Sequence, residues 1–494
     1  MTQKNPVATP CAAYNAMAED WALPRALLGG TKAMRAAGKA YLPQEPAESD
    51  KAYENRLARA VLYNAFGQAI KDLRGKICAE EVKPAEDAPE EVKAWCEDVD
   101  LQGHNLHVFA ARVLEDAIAF GLTHVLTDYP QGEPAKTRAE EQASGRRPYL
   151  VHIPAARLIG WRSRMQGGRE VLEQVRIREE AVEPDGEFGE KTVSRIRVLE
   201  PGRYRLYEER KTATGTDWEV VDEGVTSLSF VPLVTLYAGR KGFMVAEPPL
   251  LDLAHLNVQH WQSSSDQQQI LHFARVPLLF GKMLQRSSEE GARPIEIGPN
   301  RLVEADDPAA DLRYVEHSGA AIGAGRESLA DLEDKMRRLA MDPLVKRAGA
   351  VTATERALDS SEATSPLQDW AIALKDSLEL ALQFMGAWVK MPDGSTGSVI
   401  VHDPGEGLTG DAYQAAAVVM DGFKSGLLSR EATIEELKRL RIVDDELDVV
   451  EVAAQLERDA YTSGAFAGLA GATLGRGSQG QAGAGPTPPA GQPR

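Results

Sequence analysis

The period of the hydrophobic pattern changes several times along this chain, and each change predicts a different kind of element. The clearest stripe is Leu367, Trp370, Leu374, Leu378, Ala381, Met385 and Trp388, whose steps of three and four put one apolar line down one helix face. From about Tyr14 to Ala79 the chain reads as helical, and Tyr53, Leu57, Ala60, Val61 and Ala65 predict a single helix with one buried face running to Phe66. The stretch from Glu80 to Pro89 reads as an exposed connection. Another helix, from Leu106, ends at Gly121 and hands over to a strand from Thr123 to Pro130. Between Pro148 and Tyr237 the period becomes two, as in Gln174–Arg178, Ser194–Val198 and Arg203–Glu208. Glu183-Pro184-Asp185-Gly186, Glu200-Pro201-Gly202-Arg203 and Ala213-Thr214-Gly215-Thr216 are turn sequences at hairpin spacing, so an antiparallel meander with one wet face is expected.

One predicted helix departs from these patterns. It opens at Pro248-Pro249, where proline suits a first turn, and runs to Phe273. From Gln259 to Gln269 only Trp261 is large and apolar, so no stripe is wide enough to bury in the chain's own core. Such a helix is expected to bridge, to assemble against copies of itself or to face a wet channel, and Gln262, Ser265, Gln268 and Gln269 are its candidate channel residues. Short strands follow at Val276–Phe280, Pro294–Ile297 and Leu312–Val315. Helix then resumes with Ile322, Leu329, Leu332, Met336 and Leu339 on one side and stops at Asp342-Pro343. A basic loop holds Lys346 and Arg347, and Thr352-Ala353-Thr354-Glu355 starts the next helix. Ser365-Pro366 either kinks that helix or restarts it with serine as cap. Met391–Gly397 predicts a hairpin before the strand Ser398–His402, with helices after it from Asp411 to Lys424 and from the Ser429 cap. Residues 464–494 are mostly Gly, Ala, Gln and Pro, a composition expected to be disordered.

The bulk numbers narrow the class. A chain of 494 residues, 43% hydrophobic and 26% charged, has the balance of a soluble globular protein of two or three domains. No run approaches the roughly 20 apolar residues of a bilayer span, so no membrane partner is expected. Met1 to Pro6 lacks the order of a secretory signal, and synthesis in a cytoplasm is the expectation. A net charge of −18 argues against tight grip on nucleic acid, yet it suits a surface that a polyanion must slide past. The alternating Arg residues of the meander are interspersed with Glu and Asp, which favours a solvated sheet face over a nucleic-acid surface.

Candidate chemistry is sparse. Gly29-Gly30-Thr31-Lys32 lacks the spacing and preceding strand of a phosphate loop and reads as a turn. Cys11, Cys78 and Cys96 are too far apart for a disulfide framework or a zinc site. His104 and His107 lack a third ligand nearby and read as surface or capping residues. Asp306, Asp307 and Asp311 lack the ladder of a calcium loop and read as a solvated acidic turn. With no Walker sequence, no acid cluster at metal spacing and no Ser/His/Asp set, the expectation is a protein without cofactor, metal or catalysis.

Several segments, taken in order, carry a resemblance. They are Gly38-Lys39-Ala40-Tyr41-Leu42-Pro43, the helix from Tyr53 to Gly75, Phe120 to Pro130, Pro248 to Asn257, Thr352-Ala353-Thr354-Glu355, and Gly426-Leu427-Leu428-Ser429-Arg430-Glu431. Their order and spacing resemble the bacteriophage portal proteins, within them a phage-encoded branch long catalogued as a domain of unknown function. Leu73-Arg74-Gly75-Lys76-Ile77 departs from the more apolar family run, which is expected to alter local packing.

The resemblance implies an α+β, portal-like fold, mainly helical, with an antiparallel β wing, a small α/β clip, stem helices and a helical crown. The implied parts are an N-terminal helical part of the wing (1–147), a β wing (148–245), a stem helix (246–275), a clip (276–320), a second stem helix (321–341), a tunnel loop (342–351) and a long helix (352–390). A wing hairpin and helical crown (391–463) and a disordered tail (464–494) complete them. It also implies a homo-oligomeric ring of about twelve copies at one vertex of a phage head. The ring would pass double-stranded DNA without reading sequence, dock the large terminase subunit and then the head-tail adaptor, and neighbour the major capsid and scaffolding proteins. It would be made in the host bacterial cytoplasm and reside in the virion. Lys346 and Arg347 would approach DNA phosphate from the tunnel loop, and Arg293, Glu296 and Arg301 would lie on the docking face of the clip. A head-tail connector or other minor capsid protein is the nearest alternative, and a packaging nuclease or ATPase the next.

Overall fold

The computed structural model describes residues 6–130, 146–212, 215–275, 278–282, 309–315, 320–341 and 365–404, with short pieces between 419 and 436. The chain divides into two compact units, residues 1–404 and 405–494, and only the first is described at length. The crown helix expected from Asp411 and the tail at 464–494 lie largely or wholly outside the described residues. The described part is mixed helix and antiparallel sheet, so its class is α+β.

Four helices open the chain: α1 (Ala12–Leu28), α2 (Gly30–Ala37), α3 (Asp50–Arg59) and α4 (Ala65–Ile77). Gly29-Gly30-Thr31-Lys32 sits at the junction of α1 and α2, where the Thr31 hydroxyl accepts from the Leu62 amide at 3.1 Å. The single helix predicted from Tyr53 to Phe66 is in fact two. Asn64 caps α4 by accepting from the Gly67 amide at 2.9 Å, while its own amide donates to the Leu27 carbonyl at 3.0 Å. A cap residue tied to another helix breaks a pattern that local spacing alone would continue.

Helices α5 (Glu90–Glu97) and α6 (Leu106–Phe120) follow. Gly121 ends α6 in the left-handed region at φ 87°, and a Cβ there would sit 2.5 Å from the Glu247 carbonyl oxygen. Glycine is therefore required twice, by the turn and by the close approach. Strand β2 (Leu122–Asp128) then pairs antiparallel with β3 (Tyr149–Ile153) on one side and β9 (Leu233–Tyr237) on the other. This three-stranded sheet crosses the expected boundary at 147/148, so the helical part and the β part share a sheet.

The predicted meander is present as β4 (Leu158–Gln166), β5 (Arg169–Asp185), β6 (Gly189–Glu200), β7 (Arg203–Thr212) and β8 (Gly215–Val225), hydrogen-bonded in that order. Its alternating Arg residues are answered by acids in half-buried pairs. Arg195 pairs with Glu183 and, at 2.9 Å, with Glu208. Arg197 pairs with Glu179 at 2.6 Å and Asp128 at 3.3 Å, and Arg205 with Glu200 at 3.1 Å. The sheet is covered in part on both faces, so the single wet face expected of it is not kept: Val175 and Ile177 join an apolar cluster with Leu126 and Ile153, and Ile196 and Val198, on the opposite face, join another with Val7 and Ile159.

The main core gathers Phe66, Ile70, Leu73, Leu114, Ile118 and Trp261 against Leu374, Leu378 and Met385 of the helix Pro366–Trp388. That helix begins as one of the two predicted options has it. Ser365 has an extended backbone, its side chain accepts from the Gln368 amide at 3.3 Å, and its own amide donates the reciprocal bond to the Gln368 side chain at 3.0 Å. The hairpin expected after it does not form. Strand Val399–Ile400 pairs instead with β1 (Lys83–Pro84), far away in sequence, because the loop before it folds back at Gly397 (φ 76°), where a Cβ would meet the Ala88 Cα at 2.5 Å.

Candidate functional site

Two long helices and the strands between them form the most distinctive substructure. Helix α7 (Leu251–Ala274) leads towards the strand Leu278–Lys282, which pairs antiparallel with the strand Asp311–Val315, and α8 (Ala320–Met341) follows. At 1.5 Å per residue α7 is about 36 Å long. The helices lie antiparallel, since the Gln267 amide donates to the Ile322 carbonyl at 2.9 Å while His260 Nε2 lies 3.3 Å from Glu333 Oε1. At Gly325 the helices come so close that a Cβ would stand 2.1 Å from Gln267 Oε1.

The expectation that α7 finds no place in its own chain is overturned. Trp261 and Asn257 are fully buried, and Leu253 and Ala254 join them in the core. Asn257 accepts from the Phe66 amide at 3.0 Å and donates to the Tyr63 carbonyl at 2.7 Å, clamping the break between α3 and α4. The physical reason is that a polar side chain can be buried if its hydrogen bonds are met, and the first turn of α4 and the loop before it present an amide and a carbonyl to meet them. Asp266 reaches Arg56 of α3 at 3.5 Å. Arg56 itself is buried, bonded to Glu48 at 2.8 Å and to the Pro43 carbonyl at 2.6 Å. The hydrogen bond from Arg56 holds the Glu48 carboxyl below its ordinary range.

The four candidate channel residues separate. The Gln262 amide donates to the Tyr41 carbonyl at 3.0 Å, and Ser265 is buried. Gln269 is half-buried, and Gln268 is exposed. The face of α7 that stays open carries Asp252, His255, Gln259 and Asp266, all polar, and the open face of α8 carries Arg326, Glu327, Asp331, Asp334, Lys335 and Arg338. On the inner face of α8, Leu332 and Met336 are buried as their spacing predicted. Lys346, Arg347, Arg293, Glu296, Arg301, Asp306 and Asp307 lie outside the described residues, while Asp311 is exposed at the start of the strand Asp311–Val315.

Elsewhere the fold assembles polar groups whose meeting the sequence did not suggest. His152 Nε2 lies 2.9 Å from Thr123 Oγ1 and 3.5 Å from Asp116 Oδ2, beside a cleft of about 650 Å³ lined by Arg74, Cys78, His107 and Glu115. One ring nitrogen faces both the hydroxyl and the carboxylate, so no proton relay runs across the imidazole, and Thr123 is fully buried. Half-exposed His104 meets Asp100 at 2.8 Å, whereas His107 is neither a surface nor a capping residue: its Nδ1 accepts from the Val82 amide at 3.1 Å and ties α6 to a remote segment. Burial pushes the Cys78 and Cys96 thiols up to about 11 and about 12, and pushes the His124 imidazole down to about 3. Among the described residues no three His, Cys, Asp or Glu side chains group as metal ligands, and no helix is long and apolar enough to cross a membrane.

Residues 249–389, which contain α7, α8 and the helix Pro366–Trp388, match a family described as a domain of unknown function (DUF4055). No curated protein matches the chain. Among solved structures it is similar to a chain in the neck of an empty GTA particle computed with C6 symmetry, at a TM-score of 0.42 and 10% identity over 76% of this chain and 89% of that one. A chain in the virion of a native gene transfer agent (GTA) particle gives a TM-score of 0.40 at 10% identity and the same coverage. The neck of the native GTA particle computed with C12 symmetry gives 0.39 at 11% identity, again over 76% and 89%.

Proposed function

We propose that this chain is the subunit of a phage portal: a closed ring at one capsid vertex through which double-stranded DNA enters during packaging and leaves during ejection. The observation that carries the reading is the helix, two-stranded sheet, helix module within Leu251–Met341, whose two helices present mostly polar side chains on their open faces among the described residues. A rod of this kind suits the wall of a wet passage, because it offers a sliding polyanion neither an apolar surface nor a continuous basic one. The order of motifs that resembles portal proteins supports the same reading.

In this role the chain performs no chemistry. Its partners are further copies of itself, the large terminase subunit, the head-tail adaptor and the capsid and scaffolding proteins. Lys346 and Arg347 meet DNA through phosphate, and Arg293, Glu296 and Arg301 serve the docking end. Native mass measurement and negative-stain images of the purified chain test the reading: a closed ring with a narrow stem and a central passage is expected, and a stable monomer at every concentration overturns it. Replacing Lys346 and Arg347 together by Ala lowers DNA packaging in phage particles, and normal packaging removes the DNA contact. ATP turnover or metal-dependent DNA cleavage by the purified chain would replace the conduit with a packaging enzyme.

A further inference from the structure

The two outermost strands of the meander differ in charge from every strand between them. Strand β4 carries Arg162 and Arg164 and no acid. Strand β8, at the opposite edge, carries Asp217, Glu219, Asp222 and Glu223 and no base. The inner strands β5, β6 and β7 each mix both signs. No described strand pairs with the free side of either edge.

Edge strands that stay open are normally blunted by charged side chains, Lys above all, by Pro, by bulges or by a covering segment, and the acids of β8 would repel a strand of like charge while admitting a basic one. Strand β8 has neither Lys nor Pro, and it exposes Val220 (47%), Val221 (40%) and Val225 (87%), while β4 exposes Met165 (69%). The pairs its acids make within the chain are between exposed groups, Glu219 with Arg210 at 3.6 Å and Glu223 with Arg203 at 3.1 Å, and such pairs hold little. The two edges also match in length, since nine and eleven residues of strand extend to roughly 30 and 36 Å.

We infer that the β8 edge of one copy docks against the β4 edge of a second copy of this chain. A two-fold pairing of β8 with β8 would set four acids against four, so the charges select a head-to-tail contact, the kind that closes into a ring. Topology agrees. In an antiparallel meander β4 and β8 point the same way, and head-to-tail repetition preserves that sense, so the joined strands run parallel. The inference rests on the ring reading above and adds the surface through which neighbours meet.

Two variants test it, one carrying Arg162→Glu and Arg164→Glu, the other Asp217→Lys and Glu219→Lys, with circular dichroism as the folding check. Each alone should raise the concentration needed for assembly, read by native mass spectrometry, at least about tenfold, because like charges then face each other at every interface. Mixed in equal amounts they should assemble again as alternating rings, and the chain carrying all four changes should assemble by itself. Folded variants that each assemble as the unaltered chain does overturn the edge contact and leave the ring standing. Loss of assembly that neither mixing nor the fourfold change restores also overturns it. An unaltered chain that never assembles removes the ring and this contact together.

Discussion

Helix α7 and the helix Pro366–Trp388 are nearly equal in length, 24 and 23 residues, and both are held in the same core, yet they are held by different forces. The second buries Leu367, Trp370, Leu374, Leu378 and Met385, a continuous apolar stripe whose stabilisation follows the area removed from water and needs no particular partner. The first is anchored at Trp261 and then by directed bonds: Asn257 to Phe66 and Tyr63, Gln262 to Tyr41, Asp266 to Arg56. Apolar burial tolerates repacking, whereas a buried amide is stable only where donor and acceptor meet it. The difference makes α7 a helix whose position depends on the loops around it.

That contrast is open to direct attack. The largest effect should come from Leu374→Ala, which leaves a cavity in the apolar stripe and should cost about 3 kcal/mol in urea unfolding, with the helix retained. A cost near zero would mean the stripe is not what holds it. Asn257→Ala should cost somewhat less, about 2 kcal/mol, because it strands the Phe66 amide and leaves the Tyr63 carbonyl with only the Ala65 amide. Proteolysis should then open the segment from Ala60 to Asn64 first, and an unchanged cleavage pattern would show that the amide does not clamp it.

A second buried polar group tests the same idea through pH. His124 on β2 is fully enclosed and bonded to Thr235 at 2.9 Å, and burial holds its folded pKa at about 3, below the ordinary 6.5. Below pH 6.5 the unfolded chain takes up a proton that the folded chain refuses, so the contribution is intact above 6.5 and is lost as the pH falls towards 3. Between pH 7.5 and 5.5 the loss should be about 1.4 kcal/mol. His124→Asn should remove that slope, and a variant that loses as much as the original chain would refute the assignment. The smallest effect belongs to Gln268→Ala on the open side of α7, expected within about 0.5 kcal/mol for stability, which separates a residue exposed along the helix from the clamped ones.

Much of this architecture could be read in advance wherever one local rule decided it. The stripe from Leu367 to Met385, the α6 end at Gly121, the five-strand meander with its Arg and acid alternation, and the inner face of α8 all follow from spacing and turn chemistry. The candidate site was legible as an anomaly, since the polar run from Gln259 to Gln269 stood out, but its meaning was not. Tyr63, Phe66 and Tyr41 are far from it in sequence, and no local pattern tells a glutamine that faces water from one that donates to a distant carbonyl.

By itself, then, the order of residues determined periodicity, capping and charge, because these act between neighbours one to four positions apart. Only the tertiary structure decided the break before Asn64, the pairing of Val399 with Pro84, and the burial of Asn257 and Arg56. Each of those depends on a backbone group or a charge brought from a remote segment, and a hydrogen bond or an ion pair is decided by where its partner stands in space.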